Sequence, residues 1–246
     1  MAEKLKAIVL AAGKGTRLHS EDSDLPKVMR EANGKPLLWY VLDALSFIDK
    51  KDIILVVGYK KESITDNFKD YTYAVQSEQL GTGHAVIAAR DELENHAGAL
   101  LVCPGDMPAI KSEVYQQLLR THIEEKNICT ILTGESTLEM SFGRVERDLN
   151  GEFNQIIEEK DCTPEQLEIT ELNASVYVFD TPMLLRVLGE IRNDNAQGEY
   201  YLTDVPAIMR SKGAKVGIFK QNLGDDIIGV NTFEHLKIVE RILSER

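Results

Sequence analysis

The sequence predicts one α/β domain of three layers, a Rossmann-like, mixed but mostly parallel sheet between two layers of helices. Three observations predict it. Apolar strand-like runs alternate with amphipathic helical patterns through the first half, an order that calls for parallel strands joined by right-handed crossovers. The 246 residues suffice for one large domain with a well-buried core or for two small ones, and neither an internal repeat nor a low-complexity linker divides them. The first apolar run also gives way to small residues and glycines, Leu10-Ala-Ala-Gly-Lys-Gly-Thr-Arg-Leu18, where a strand should turn into its following loop.

Leu5–Leu10, short and mostly apolar, reads as a buried parallel strand. Ile53–Val57, Tyr71–Val75 and Leu100–Cys103 read as further strands. The helices between them are expected over Leu37–Phe47, Glu62–Phe68, Thr82–Leu93 and Val114–Glu125. The second half changes texture. Gly143–Arg147, Phe153–Ile157 and Leu172–Phe179 are short strand-like runs, with a turn at Asn150-Gly151. Helical patterns follow at Pro182–Glu190 and Val205–Lys212, then a strand at Lys215–Phe219 and a last helix over Thr232–Leu243. Ligands of such sheets sit beyond the carboxyl ends of the strands, where the loop after the first strand lies.

In that loop Ala11, Ala12, Gly13 and Gly15 keep bulk away from the backbone, so N–H groups can approach phosphate oxygens closely. Lys14, Arg17 and Lys27 add three cations. Small residues, free N–H groups and clustered cations suit a polyphosphate. The P-loop pattern is absent, and the dinucleotide fingerprint G-x-G-x-x-G fails because position 18 is Leu. Taken alone, the stretch also reads as a glycine turn with solvated cations.

Composition narrows the partners. A net charge of −12 argues against nucleic acid, which needs a basic surface, whereas a small anionic substrate needs only a local cluster of cations. No apolar run approaches the roughly 18–20 residues of a membrane span. The Met-Ala-Glu-Lys start lacks the apolar core of a signal peptide. Cys103, Cys129 and Cys162 are odd in number and lack metal-ligand spacing, as expected of reduced thiols in a cytoplasmic protein. Cys103 ends an apolar run and reads as packed core. The oligomeric state stays open.

Several further strings carry polar groups to loop positions. Gln76-Ser-Glu-Gln-Leu-Gly-Thr-Gly-His-Ala85 follows a strand and opens a helix. By itself its Gln-Leu-Gly-Thr-Gly is a helix-entry turn with a Thr cap. Pro104-Gly-Asp-Met-Pro108 puts Asp106 at a strand's carboxyl end, a poor position for packing and a good one for a hard cation. Asn231, in Gly229-Val-Asn231, stands before the last helix and by itself suits an N-cap. Leu25-Pro-Lys27, Phe142-Gly-Arg144, Ile156-Ile-Glu-Glu-Lys-Asp161, Glu171-Leu-Asn173 and Gly198-Glu-Tyr-Tyr-Leu-Thr-Asp204 complete the set. Singly, Glu158 and Asn173 read as ordinary polar groups.

Together and in this order, the strings resemble the sugar-1-phosphate nucleotidylyltransferases. Within them they are most similar to the uridylyltransferase domain of the bifunctional N-acetylglucosamine-1-phosphate uridyltransferase (GlmU) family. The resemblance implies the nucleotide-diphospho-sugar transferase fold. It divides the single domain 1–246 into a nucleotide-binding half (1–125), a sugar-binding half (126–228) and a metal-ligand loop with the C-terminal helix (229–246). The implied reaction is UTP plus N-acetylglucosamine-1-phosphate giving UDP-N-acetylglucosamine, a cell-wall precursor, plus pyrophosphate. The implied cofactor is Mg²⁺, held by Asp106 and Asn231.

By the same resemblance Arg17 holds the leaving β- and γ-phosphates and Lys27 the α-phosphate. The Leu10, Ala11, Ala12 and Gly13 backbone and Gly105 line the nucleotide. Gln76, Gly81 and Thr82 read uracil, since an amide both donates and accepts and so suits an imide–carbonyl edge. Gly143, Glu158, Asn173, Tyr201 and Thr203 contact the sugar; His84, one residue past Gly83, reads from its position as structural and not catalytic. Transfer onto a sugar phosphate asks mainly for alignment, charge neutralisation at the α-phosphorus and a bridging metal.

Four departures stand out. Ser20–Asp24 lengthens the loop before Pro26, and Pro104 replaces an aromatic residue. Ala174-Ser175 replaces Thr-Gly. No tandem hexapeptide pattern of an acetyltransferase half follows, so no acetyl transfer is expected. The alternatives are the same chemistry with another nucleotide or another sugar or polyol phosphate, and a catalytically inactive nucleotide-sugar-binding regulator.

Overall fold

The apolar runs form strands because alternate side chains find a core on each face. The computed structural model describes residues 4–15, 25–136 and 141–246. In chain order the elements are β1 (Leu5–Ala11), β2 (Glu31–Ala32), β3 (Lys35–Pro36), α1 (Leu37–Ala44), β4 (Ile53–Val57), α2 (Lys61–Thr65), β5 (Thr72–Val75) and α3 (Thr82–Ala88). Next come β6 (Ala99–Pro104), α4 (Ser112–Glu124), β7 (Cys129–Gly134), β8 (Arg144–Arg147), β9 (Phe153–Ile157) and α5 (Pro164–Leu167). Then follow β10 (Leu172–Asp180), α6 (Thr181–Val187), α7 (Asp204–Ser211), β11 (Val216–Lys220) and α8 (Phe233–Ser244).

Nine strands among the described residues make one sheet. Its path is β11-β7-β10-β6-β1-β4-β5, with β8 paired to β10 and β9 to β8. β1 is parallel to β4 and β6, β4 to β5, and β7 to β11. β10 runs antiparallel to β6 and β7, and the β10–β8 and β8–β9 pairs are antiparallel as well. This is the three-layer, mostly parallel architecture that the sequence predicts.

The layers are legible residue by residue. Ala7, Val9 and Ala11 of β1, Leu55 of β4, Leu101 of β6 and Val178 of β10 face one core, shared with Leu38 and Val41 of α1, Tyr115 of α4 and Val239 of α8. Ile8, Ile54, Val56, Leu100 and Phe179 face the other, shared with Val86 of α3, Leu184 of α6 and Val205 of α7. All five residues of β4 are buried, which is why that strand reads as a continuous apolar run. Each buried Val, Leu or Ile contributes about 1.5–3 kcal/mol.

Some boundaries differ from expectation. The helix expected over Leu37–Phe47 ends at Ala44, and that over Thr82–Leu93 ends at Ala88, where the Ala89 N–H turns back to Val86 O at 3.1 Å. A short 3₁₀ turn then covers Asp91–Leu93. Three strands were not expected. β2 and β3 form a small hairpin ahead of α1, and β7 fills the sheet between β10 and β11. Cys103 and Cys129 are fully buried, the former with its thiol pushed up to about 12 by burial, so it is core as read. Among the described residues no helix is long and apolar enough to cross a membrane.

Candidate active site

Strand ends build the site. β1, β4, β5 and β6 are parallel, so Ala11, Val57, Val75 and Pro104 close the same edge of the sheet. Main-chain bonds tie the loops together there. The Tyr59 N–H donates to Ala12 O at 3.3 Å, the Gln76 N–H to Val57 O at 2.8 Å, and the Gly105 N–H to Leu10 O at 2.9 Å. From β1 the chain builds outward through β4 and β5, then returns to place β6 on β1's other flank. A crevice belongs at such a reversal of strand order. A cavity of about 290 Å³ lies there, bounded by Leu10, Ala12, Gly13, Lys27, Gln76, Gly81, Thr82 and Asp106, with Gln79, Pro104 and Glu199 among its other walls.

One cation organises its floor. Lys27 begins a 3₁₀ turn over Lys27–Met29, anchored by the buried Val28 and Met29. Gly15, at φ +65°, passes so close that a Cβ would lie 2.5 Å from Lys27 Cβ, so glycine is required here. The Lys27 ammonium donates to Asn231 Oδ1 at 2.6 Å and forms an ion pair with Asp106. The Val230 N–H donates to Asp106 O at 3.0 Å, which brings the Gly229–Asn231 loop alongside.

Asn231 is not the cap of α8. That position belongs to Thr232, whose hydroxyl accepts from the His235 N–H at 3.2 Å. The Asn231 Nδ2 donates to Gly229 O at 3.1 Å, which turns its Oδ1 toward Lys27. An ionised and an amide oxygen thus converge on one positive charge. Such a pair suits a hard divalent cation that completes its shell with phosphate and water. Among the described residues no group of three or more His, Cys, Asp or Glu is arranged to hold a metal.

At the opposite wall, Gln76 is buried, and its Nε2 lies 3.0 Å from Gly81 O and 3.1 Å from His84 Nδ1. Gly81, at φ +109°, is pressed against Tyr200: a Cβ there would meet Tyr200 O at 2.6 Å. The Gly198–Asp204 segment is laid across this turn. The Tyr200 N–H donates to Leu80 O at 2.8 Å and the Gly83 N–H to Tyr200 O at 2.7 Å. Thr82 is not a helix cap. Gly81 holds that position, and the Thr82 hydroxyl accepts from the Leu202 N–H at 3.0 Å.

A second cavity, about 480 Å³, is bounded by Ile156, Glu158, Asp161, Tyr201 and Asp204 among others. The Thr203 hydroxyl donates to Glu158 Oε1 at 2.9 Å. Burial raises the Glu158 carboxyl above its ordinary range; the Thr203 hydrogen bond opposes this, and Asp161, Asp204 and Glu199 add to it. Burial and Asp161 push Asp204 up to about 6. The Tyr201 hydroxyl accepts from Gln197 Nε2 at 2.8 Å.

The remaining described positions named from sequence border neither cavity. Ala11 is core, and Gly105 is buried against Leu10. Asn173 is buried at the β10 bulge, with its Nδ2 donating to the Tyr177 hydroxyl at 2.7 Å and its Oδ1 accepting from the Ser175 N–H at 3.1 Å. Its own N–H donates to Gly143 O at 2.9 Å, and a Cβ on Gly143 would meet Ile156 Cγ2 at 2.8 Å. Arg17 and the Ser20–Asp24 insertion lie outside the described residues. Gln79 and Glu199 were missed as cavity walls, although both sit inside strings already singled out.

An α/β sheet with a crevice at its switch point, where the Lys27 ammonium meets Asp106, has the layout of the ligand-binding open α/β proteins. A model of the nucleotidyl transferase family matches residues 6–227, and the chain belongs to that family. Among its relatives, the bifunctional protein GlmU of Clostridium novyi (strain NT) is 43% identical, over 98% of this chain and 52% of that protein. The bifunctional proteins GlmU of Streptococcus agalactiae serotype V and Clostridium perfringens (strain SM101) are 41% and 42% identical, with the same coverage. The chain therefore spans about half the length of these relatives. A solved Bacillus anthracis structure, named as a candidate glucose-1-phosphate thymidylyltransferase in complex with sucrose, superposes with a TM-score of 0.77 at 17% identity. It covers 99% of this chain and 96% of its own, a likeness of fold.

Proposed function

We propose that the chain transfers a uridylyl group from UTP to N-acetylglucosamine-1-phosphate with Mg²⁺, giving UDP-N-acetylglucosamine and pyrophosphate. The observation that carries this is the convergence of Asp106 and Asn231 on Lys27, with Lys27 and Asp106 in the wall of the cavity that also holds Gln76. One end of that cavity handles charge and the other offers an amide, as a nucleoside triphosphate requires. The relatives named GlmU, at 41–43% identity over 98% of the chain, favour uridylyl transfer.

A phosphate oxygen of the sugar phosphate attacks the α-phosphorus as the bond to the β-phosphate oxygen breaks. The nucleophile is already anionic, so no general base is needed. Lys27 places its charge at the α-phosphate, where negative charge builds up. Arg17 meets the departing phosphates. The Leu10–Gly13 backbone, with Gly105 beneath it, borders the nucleotide, and Gln76, Gly81 and Thr82 hold the base. Glu158, oriented by Thr203, accepts from a sugar hydroxyl near Tyr201, while Asn173 supports the Gly143 backbone on that side. Asp106 and Asn231 would hold Mg²⁺, which supplies charge neutralisation and alignment between the phosphates. The free cysteines accord with a cytoplasmic setting, and the product is a precursor for cell-wall polymers.

The test is pyrophosphate release from a grid of nucleoside triphosphates against sugar-1-phosphates, with Mg²⁺ and with EDTA. Release with UTP and N-acetylglucosamine-1-phosphate alone, abolished by EDTA, is the expected result. Release with another pair would reassign the substrates, and no release with any pair would leave a binding regulator.

A further inference from the structure

Gln76 carries an amide whose two ends are chemically opposite, so the base it selects depends on which end reaches the cavity. A carbonyl oxygen such as Gly81 O can only accept. The amide group 3.0 Å from it must therefore be the NH₂ of Gln76, because the reverse placement would set two acceptors against each other. The second hydrogen of that NH₂ points to His84 Nδ1 at 3.1 Å. Both N–H donors of Gln76 are then used within the protein. This also makes Nδ1 of His84 the bare nitrogen, with the ring proton on Nε2.

What is left of Gln76 for the cavity is Oε1, to which no donor comes among the described residues. A fixed acceptor complements the imide N–H of uracil or thymine. It opposes the corresponding ring nitrogen of cytosine, which is itself an acceptor. His84 lies outside the cavity walls, on the first turn of α3. It acts through Gln76 and not on the ligand. Gly81 O alone holds one hydrogen; with His84 Nδ1 holding the other, turning the amide about its last torsion breaks two hydrogen bonds in place of one.

We propose that His84 is a positioning residue for nucleotide specificity: its Nδ1 locks Gln76 with the amide oxygen toward the base, so that the site accepts uridine and rejects cytidine triphosphate. This rests on the assignment of the nucleotide to the Gln76 cavity.

The experiment compares kcat/KM for UTP and CTP in pyrophosphate release by the wild-type protein, His84→Leu and His84→Asn. Asn places an amide oxygen near the position of Nδ1. His84→Leu is expected to lower the UTP/CTP ratio about tenfold, the factor that one lost neutral hydrogen bond gives. The loss should appear as a higher KM for UTP at nearly unchanged kcat. His84→Asn is expected to restore the wild-type ratio, and it still tests the idea if the Leu variant does not fold. An unchanged ratio in a folded Leu variant would overturn the proposal, as would equal losses for UTP and CTP, the mark of a merely structural histidine. If the wild-type protein itself does not prefer UTP, the assignment of the cavity fails first and the role of His84 with it.

Discussion

Lys27 occupies the point toward which Asp106 and Asn231 aim their oxygens, so one ammonium holds the two side chains in register. Its charge satisfies Asp106, which would otherwise be a half-buried carboxylate without a counter-ion. The same charge competes with a free divalent cation for that carboxylate. Lys27→Met is expected to lower kcat about 10²-fold, as losing a charge-stabilising donor does. It should also tighten the binding of free Mn²⁺, read by calorimetry without substrate. Weaker Mn²⁺ binding in that variant would show that Lys27 does not share the metal position. A second residue is strained. Ser175 sits at φ +55° in the β10 bulge, where the family it resembles carries glycine. A side chain in that region costs about 1–2 kcal/mol, and glycine gives back roughly 0.5–1 kcal/mol through its freer unfolded state. Ser175→Gly should therefore raise stability by about 0.5–1 kcal/mol, measured as a higher urea midpoint at unchanged slope.

Among the elements, those with one dominant signal were legible. β1, β4 and β6 announced themselves as apolar runs, and the strings at Gln76 and Pro104 fell on the loops after β5 and β6 as expected. β7 did not. Its Cys129–Gly134 sequence carries two threonines that look like loop polarity, yet both are buried. Thr130 pairs with His122 and Asn127, and Thr133 donates to Glu171 at 2.7 Å. Glu171 lies far along the chain, so no local pattern could reveal that this hydroxyl was satisfied. Capping was misread for a related reason, since Asn231 and Thr82 found tertiary partners that outcompeted the helix end. The contact of α7 with β9 offers a pH test. Burial and Asp161 raise Asp204 from 3.8 to about 6, so between these values the native state binds a proton that the unfolded chain has released. Stability then falls as pH rises from about 4 to 6. Asp204→Asn cannot ionise, so relative to the wild-type protein it should gain stability across that window and hold a constant difference above it. Urea midpoints at a series of pH values decide this; parallel curves would mean that Asp204 titrates alike in both states. Glu158, raised for similar reasons, leaves a residual slope in the variant.

At the scale of the whole molecule, the halves before and after residue 125 cannot be separated at the sheet. β10, from the second half, lies between β6 and β7 and bonds through Tyr177, Val178 and Phe179 to Val102, Leu101 and Leu100. Both cores draw on both halves: Val178 belongs to the same core as Leu55 on one face, and Phe179 to the same core as Ile54 on the other. A fragment ending at residue 125 would leave the apolar edge of β6 unpaired and two half-covered faces exposed, a liability for aggregation. Such a fragment should fail to give a soluble folded species. The intact chain should unfold in one transition despite a length at which intermediates are common. Its single tryptophan, Trp39 in α1, provides the probe, because it reports the first half alone. Its fluorescence midpoint in urea should coincide with that of far-UV circular dichroism, which averages over both halves. A Trp39 transition clearly earlier or later than the dichroism would mean that the halves hold together less than their shared strands require, and that one half can unfold without the other.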